Sequence, residues 1–306
     1  MQETGPTTRV VLKDAERALV EDVVYKVLEN CPGQTEYRYL TFLKEHVDTP
    51  IGWIRETYES AEGQPVLLSN LPQFENVEHS KILALLIGQT VGNCVAYSDY
   101  NGSYITDIRA TELSREKSAG TDLLAMHNDL AWASDVCRPR TLVLVPHMAE
   151  GVVPRTLLAP ATEVAARLDP AAIEILRSPV FEARSGSSLG WKYERVRKMP
   201  LLEEAAGKLV VRLNFSAFTP AAHLEGELRA AAAAAHQQLH DAALAVGRVR
   251  GHAALQGEAL IVPNDHCLHG RDPIDSGACR RLLLRSYVVP DSVVEHHGRT
   301  MISLEG

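Results

Sequence analysis

Four short apolar runs constrain the fold most: TLVLVP at 141–146, KLVVRLNF at 208–215, EALIVP at 258–263 and RLLLRSYVV at 281–289. Each is brief, rich in valine, isoleucine or leucine, and bounded by polar or turn-forming residues, which reads as a buried strand. Extended pieces are also expected at 123–130 and 152–159. The runs at 94–97 and 103–109 flank Tyr100-Asn101-Gly102, and Asn-Gly in that setting predicts a β-hairpin. The first ninety residues differ in character. Leu19, Val20, Val23, Val24, Val27 and Leu28 recur at helical spacing over 13–30 and end at Cys31-Pro32-Gly33. Shorter helices are expected at 37–47 and at 77–87, the latter closed by Gly88. Further on, 162–177 has helical spacing broken at Asp169-Pro170. Residues 221–246 form a long alanine-rich helix with Leu224, Leu228, Leu239 and Leu244 on its apolar side.

Helices first, then many short strands with one long helical insertion around 221–247, predict an α+β, mainly β chain. A single domain over 1–306 is expected: a mostly helical part to 90, a β-sandwich or jelly-roll core over 91–290, and a tail over 291–306. Neither a P-loop nor a G-x-G-x-x-G pattern is present, nor the G-x-S-x-G of many hydrolases. A net charge of −8 and a pI near 5.9, with dispersed Lys and Arg, argue against a nucleic-acid partner and for a small soluble substrate. No apolar run approaches the roughly 18–20 residues that span a bilayer, and the N-terminus lacks a basic segment followed by an apolar one; no membrane association and a cytoplasmic location are expected. The five cysteines (31, 94, 137, 267, 279) are odd in number with no C-x-x-C pair, so most should be buried thiols.

The chemistry concentrates in His127-Asn128-Asp129. In an extended segment residues i and i+2 share a face, so His127 and Asp129 would stand side by side with Asn128 turned away. A third ligand near the C-terminus, for which His269 is available, would complete the two-histidine, one-carboxylate face that holds non-haem Fe(II). Arg281 and Arg285 lie on one face of their strand, about 13 Å apart at roughly 3.3 Å per residue. Two cations on an apolar strand are costly to bury alone, so anionic partners are implied. His236 and His240 are spaced i, i+4 on the long helix, but no acid stands with them, and a solvated face is expected there.

Taken in order, these residues resemble the Fe(II)- and 2-oxoglutarate-dependent oxygenases, within them the clavaminate synthase-like group, which is also similar to taurine dioxygenase. The matching pattern is His127-Asn128-Asp129, Thr156 in Pro-Arg-Thr-Leu, His269 in Leu-His-Gly-Arg, and Arg281 followed four residues later by Arg285. Flanking text is similar too: Ile87-Gly88-Gln89-Thr90-Val91-Gly92, Ile105-Thr106-Asp107-Ile108-Arg109, Ser118-Ala119-Gly120-Thr121 and the Gly-Glu-Ala-Leu-Ile-Val-Pro-Asn lead-in to His269. The resemblance implies a double-stranded β-helix, that is, a jelly roll. It implies that His127, Asp129 and His269 bind Fe(II) and act in catalysis, with 2-oxoglutarate as co-substrate and dioxygen as oxidant. Arg281 would grip the distal carboxylate of 2-oxoglutarate with help from the Thr156 hydroxyl, and Arg285 would meet a substrate carboxylate. Ser118, Thr121 and Asn214 complete the expected substrate contacts. His266 competes with His269, and Arg280 with Arg281; the family's spacing favours His269 and Arg281. The implied reaction is hydroxylation of an unactivated carbon of an amino acid or amino-acid-derived metabolite, with release of succinate and CO2.

Desaturation, cyclisation or epoxidation use the same site, whereas halogenation is disfavoured because Asp129 keeps the carboxylate. Basic substrate side chains are gripped by acids on the strand before the long helix in this group; Leu213-Asn214-Phe215-Ser216 has none. A carrier-tethered or peptide substrate and a homo-oligomeric assembly stay open. The pocket walls are expected at 103–121 and 185–201, with Gly186, Ser187 and Ser188 in a lid or a plain flexible loop. Outside the oxygenases, the competing reading is a jelly-roll protein that binds an anion without redox chemistry.

Overall fold

The computed structural model describes residues 8–47, 50–100, 102–109, 120–184, 196–215 and 217–304. Its centre is an eight-stranded sheet. In spatial order it runs β1 (Thr8–Val11), β2 (Val66–Ser69), β13 (Ala259–Pro263), β6 (Thr141–Gly151), β15 (Cys279–Val289), β3 (Asn93–Tyr97) and β16 (Met301–Ile302), with β4 (Ile105–Arg109) also on β15. A smaller sheet of β5 (Leu124–His127), β14 (Cys267–Arg271) and β7 (Thr156–Pro160) lies against it. The two sheets form the jelly roll. The short strands β8 (Phe181–Arg184), β9 (Val196–Met199) and β12 (Phe218–Pro220) make a third sheet, and β10 (Leu202–Ala205) pairs with β11 (Lys208–Val211).

Period-2 alternation distributes the core into three layers. On β15, Leu282, Leu284 and Val288 pack against the N-terminal helices, while Leu283, Tyr287 and Val289 face the interior between the sheets. β6 and β13 divide the same way: Val143, Val145 and Ile261 lie outward, and Leu142, Leu144, Leu260 and Val262 inward. On the smaller sheet Met126, Leu157, Ala159 and Leu268 turn outward onto the long helix α7 (Gly226–Arg250). Their alternates therefore turn inward. By this parity His127, Thr156, His269, Arg271, Arg281 and Arg285 share the interior.

The N-terminal layer comprises α1 (Asp14–Asn30), α2 (Glu36–His46), α3 (Trp53–Ser60) and α4 (Val77–Val91). Asn76 caps α4 by accepting a hydrogen bond from the Glu78 amide, and Ile82, Leu83, Leu85, Leu86 and Ile87 are all buried. Fully burying each such side chain is worth roughly 1.5–3 kcal/mol. Gly88 does not close this helix. It lies within it because a Cβ there would stand 2.5 Å from the Cys94 sulfur, so glycine permits the helix to sit against β3. α5 (Ala161–Ala165) and α6 (Pro170–Leu176) are separated at Asp169-Pro170 as expected, and α8 (Asp291–His297) follows the last long strand. All five cysteines are buried and unbridged. Among the described residues no helix is long and apolar enough to cross a membrane.

Several expectations are corrected. The segments around Asn101-Gly102 do not form a hairpin: β3 and β4 both pair antiparallel with β15, one after the other along the same edge. The chain advances through the turn instead of reversing, because long-range pairing with β15 outweighs the local turn signal. His269 lies on a strand, β14. β1 and α3 were not anticipated, and the strand expected over 208–215 stops at Val211. Leu224 precedes α7, and Leu228 on its first turns is exposed.

His236 is not on a solvated face. It is buried among Phe181 and Phe215, stacked on the latter at 4.9 Å and 8°, and its Nε2 has no hydrogen-bond partner. Burial, then the neighbouring His240, pushes its pKa down to about 4. Unfolded, the same imidazole titrates near 6.5. The unfolded state thus binds the extra proton between these values, and stability falls as pH drops through that window, by at most about 1.4 kcal/mol per pH unit. Thermal melts of His236→Phe and the parent protein should show a shallower loss between pH 6.5 and 4.5 in the variant. Parallel slopes would assign the acid sensitivity to other groups.

Candidate metal centre and co-substrate pocket

β5 delivers His127 as its last residue, directly opposite His269 in the antiparallel pairing of β5 with β14. The two imidazole centroids are 4.3 Å apart. Asp129 lies beyond the strand end, where Leu130 at φ 52° turns the chain, so it is placed by a turn and not by continued strand alternation. Its Oδ1 is 3.4 Å from His127 Nε2, and its Oδ2 is 3.9 Å from His269 Nε2. Among the described residues these three form a group whose ligand atoms lie within 4.8 Å of one another. Gly270 lets β14 approach this closely, since a Cβ there would meet the Leu124 carbonyl at 2.7 Å.

The donor set suits a divalent cation. His127 Nδ1 lies 2.8 Å from the Ala125 carbonyl, so the proton sits on Nδ1 and the Nε2 lone pair faces Asp129. Burial, reinforced by His127 and Arg285 against the attraction of Asp129, pushes the His269 pKa down to about 3 and leaves that ring neutral. Burial would raise the Asp129 pKa, but the Arg285 guanidinium holds it far below the carboxylate range. Two neutral imidazoles and one carboxylate, converging from one side, are the facial set that suits Fe(II) and leaves its opposite side open.

Arg285 Nη1 donates to Asp129 Oδ2 at 2.8 Å, with its guanidinium 4.6 Å from the centre of the Tyr287 ring. It therefore holds the ligand carboxylate directly, a contact the sequence did not suggest. Arg281 is different. Burial and nearby Arg271 push its pKa down to about 10, and among the described residues no carboxylate pairs with it. Arg271 is also buried, donating Nη1 to the Gly120 carbonyl at 2.8 Å and Nη2 to that of Asp122 at 2.6 Å. Thr156 is buried opposite Arg271 in the register of β7 and β14. Besides Arg285, the interior thus presents two further guanidiniums and a hydroxyl together with the three candidate metal ligands, which fits a dianion that also reaches a metal.

Asn214 forms an isolated antiparallel bridge with His127, which places it next to the first ligand. Thr121 is half-buried, its carbonyl accepting from the Ile274 amide at 2.7 Å. Ser118 and the 186–188 cluster lie outside the described residues. His266 faces away from the cluster and donates through Nδ1 to the Leu209 carbonyl at 2.8 Å, and Arg280 is an exposed partner of Glu150 at 3.0 Å. Three residues escaped the sequence reading: Asn128, Asn264 and Arg271. For Arg271 a signal existed, since it follows His269 by two on a strand.

Comparison with known proteins agrees with this geometry. Residues 29–287 match the family model described as taurine catabolism dioxygenase TauD, TfdA family. No curated protein matches the chain. Among solved structures, an asparagine oxygenase in complex with Fe(II), 2S,3S-3-hydroxyasparagine and succinate is similar with a TM-score of 0.78 at 19% identity, over 92% of this chain and 93% of that one. The non-heme iron oxygenase OrfP, in complex with Fe and alpha-ketoglutaric acid, is similar with a TM-score of 0.74 at 18% identity, over 96% and 98% of the two chains. A further OrfP structure holds Fe, succinate and (3S)-hydroxy-L-Arg, with a TM-score of 0.74 at 17% identity, over 97% and 100%. These likenesses establish the fold, and the family match over most of the chain establishes descent: the protein belongs to the TauD/TfdA family of dioxygenases.

Proposed function

We propose that this protein is an Fe(II)- and 2-oxoglutarate-dependent oxygenase that hydroxylates an unactivated C–H bond of an amino acid or amino-acid derivative, releasing succinate and CO2. The observation that carries the reading is the convergence of His127, Asp129 and His269 in the interior shared with Arg281, a half-buried cation near Arg271 with no carboxylate partner among the described residues. Bound Fe(II), with 2-oxoglutarate and dioxygen, supplies the oxidising chemistry. The chain supplies the rest. His127 and His269 offer neutral nitrogen donors, and Asp129 offers a carboxylate whose charge Arg285 keeps in place. Arg281 pairs with the distal carboxylate of the co-substrate through a bidentate, charge-assisted contact, and Thr156 adds a hydroxyl. The apolar interior walls limit access of water to the reacting groups.

For the substrate, the relevant neighbour is Asn214 beside His127, in a segment without acids. Hydroxyasparagine is the amino acid in one similar structure and hydroxy-L-Arg in another. A guanidinium would find no carboxylate in the 213–216 segment to receive it, so an amino acid with an uncharged side chain is favoured. The test is succinate formation by the Fe(II)-loaded protein with 2-oxoglutarate and oxygen across a panel of amino acids. Neutral side chains should stimulate it at least about tenfold more than arginine or lysine, since one unmet buried charge exceeds 1.4 kcal/mol. Best stimulation by arginine would refute the preference. No oxygen-dependent succinate under any condition would favour a non-redox anion-binding role. Mass analysis of the product separates gain of one oxygen from loss of two hydrogens, the mark of desaturation or ring closure.

A further inference from the structure

The triad is brought together from two distant parts of the chain, and a pair of buried asparagine side chains joins those parts. β5 ends at His127, so the backbone of Asp129 lies outside the strand ladder. A backbone amide and carbonyl buried without partners would be costly. Both are met by one side chain. Asn264 Oδ1 accepts from the Asp129 amide at 2.9 Å, and Asn264 Nδ2 donates to the Asp129 carbonyl at 2.9 Å and to the Pro139 carbonyl at 2.8 Å. The carboxamide thus replaces the missing strand partner at the residue that supplies the ligand carboxylate. Asn128, between the two ligands, completes the brace: its Nδ2 donates to the Asn264 carbonyl, and its Oδ1 accepts from the Leu213 amide at 2.9 Å. Asn264 is 0% exposed and Asn128 2%. The Asn264 amide itself donates to the Arg140 carbonyl at 2.8 Å, so its main hydrogen-bonding groups are all engaged.

Asn264 stands five residues before His269 and Asn128 one residue after His127. The pair therefore fixes the loop bearing Asp129 to the segment that leads into the third ligand, and it reaches none of the reacting atoms itself. Neighbouring Asp265 adds rigidity by pairing with Arg138 at 3.0 Å and with Arg140. We propose that Asn264, with Asn128, is a positioning residue that sets the spacing of Asp129 relative to His127 and His269 and so preorganises the metal site. The proposal rests on the Fe(II) reading above and deepens it.

Two measurements test it without relying on turnover. In the metal-free protein the Asp129 amide should be protected from hydrogen exchange, and Asn264→Ala should accelerate its exchange roughly tenfold or more. In anaerobic titrations with Fe(II) alone, Asn264→Ala should bind about 10–100-fold more weakly, as for other groups that hold metal ligands from behind. Asn128→Ala should shift both readings in the same direction and serves if Asn264→Ala fails to fold. Leu40→Ala, a cavity in the helical layer far from the site, should lose stability yet keep wild-type Fe(II) affinity. If the asparagine variants lose only thermal stability and bind Fe(II) as the parent does, the brace is a folding element and the proposal is wrong. A rapidly exchanging Asp129 amide in the parent protein would also overturn it, whatever the iron does. Failure of the functional reading looks different: no Fe(II) binding by the parent, with the Asp129 amide still protected through Asn264.

Discussion

Asp129→Ala should reduce oxygen-dependent succinate formation to background, a loss exceeding the roughly 10–100-fold typical of removing a group behind a metal ligand. Asp129 is the one anionic ligand of the triad, and two neutral imidazoles alone hold a divalent cation poorly. The substitution has a second consequence, because Arg285 donates to Asp129 Oδ2 at 2.8 Å and both side chains are buried. Removing one member of a buried ion pair costs about 3–5 kcal/mol. The melting temperature should therefore fall as well, and activity must be normalised to the folded fraction at low temperature. Asp129→Glu keeps the charge and should retain measurable turnover together with most of the stability. An Asp129→Ala protein that turns over at the parent rate would remove the triad assignment altogether.

How much of this was legible in the sequence depends on whether a residue's partner is local. The runs at 141–146, 258–263 and 281–289 are legible because those strands are buried on both faces, which demands continuous apolar residues. Within the last run, Arg281 and Arg285 interrupt that demand at the same parity, and the strand geometry carries both to the interior. His127 and Asp129 are also a local signal, although a turn and not an extended strand sets the second ligand. Misreadings arise where a distant partner decides. The Asn101-Gly102 signal speaks only of its own four residues, whereas β3 and β4 are aligned by β15, which lies far along the chain. His236 was misplaced because alanines cover much of α7, so its apolar face has no sharp edge in the sequence. Asn264 and Asp129 are 135 residues apart, and an asparagine that fills another segment's backbone vacancies leaves no pattern of its own. Of the segment 185–201 expected to line the pocket, residues 185–195 lie outside the described residues.

Arg281→Met should separate the function of the pocket from its stability. The side chain is half-buried, stands near the fully buried Arg271, and has no carboxylate partner among the described residues. In the absence of ligand its desolvation and the repulsion of Arg271 are not offset, so an apolar side chain of similar length should raise the melting temperature of the metal-free protein. Binding should move the other way. A charge-assisted bidentate contact of this kind is worth about 2–5 kcal/mol when one buried partner is removed, which corresponds to roughly a 30- to several-thousand-fold rise in KM for 2-oxoglutarate. On the proposed reading the contact would lie at the end of the co-substrate remote from the metal and be made equally before and during reaction. At saturating co-substrate kcat should therefore change much less than KM. The same linkage predicts that 2-oxoglutarate stabilises the parent protein by about 2.7 kcal/mol at a hundred times its Kd, and the variant by about 0.9 kcal/mol or less at that concentration. A variant that melts lower than the parent and keeps its KM would mean that Arg281 is held by the fold for its own sake; the opposite pair of shifts would mean that the fold tolerates a half-buried, unpaired cation because the co-substrate neutralises it.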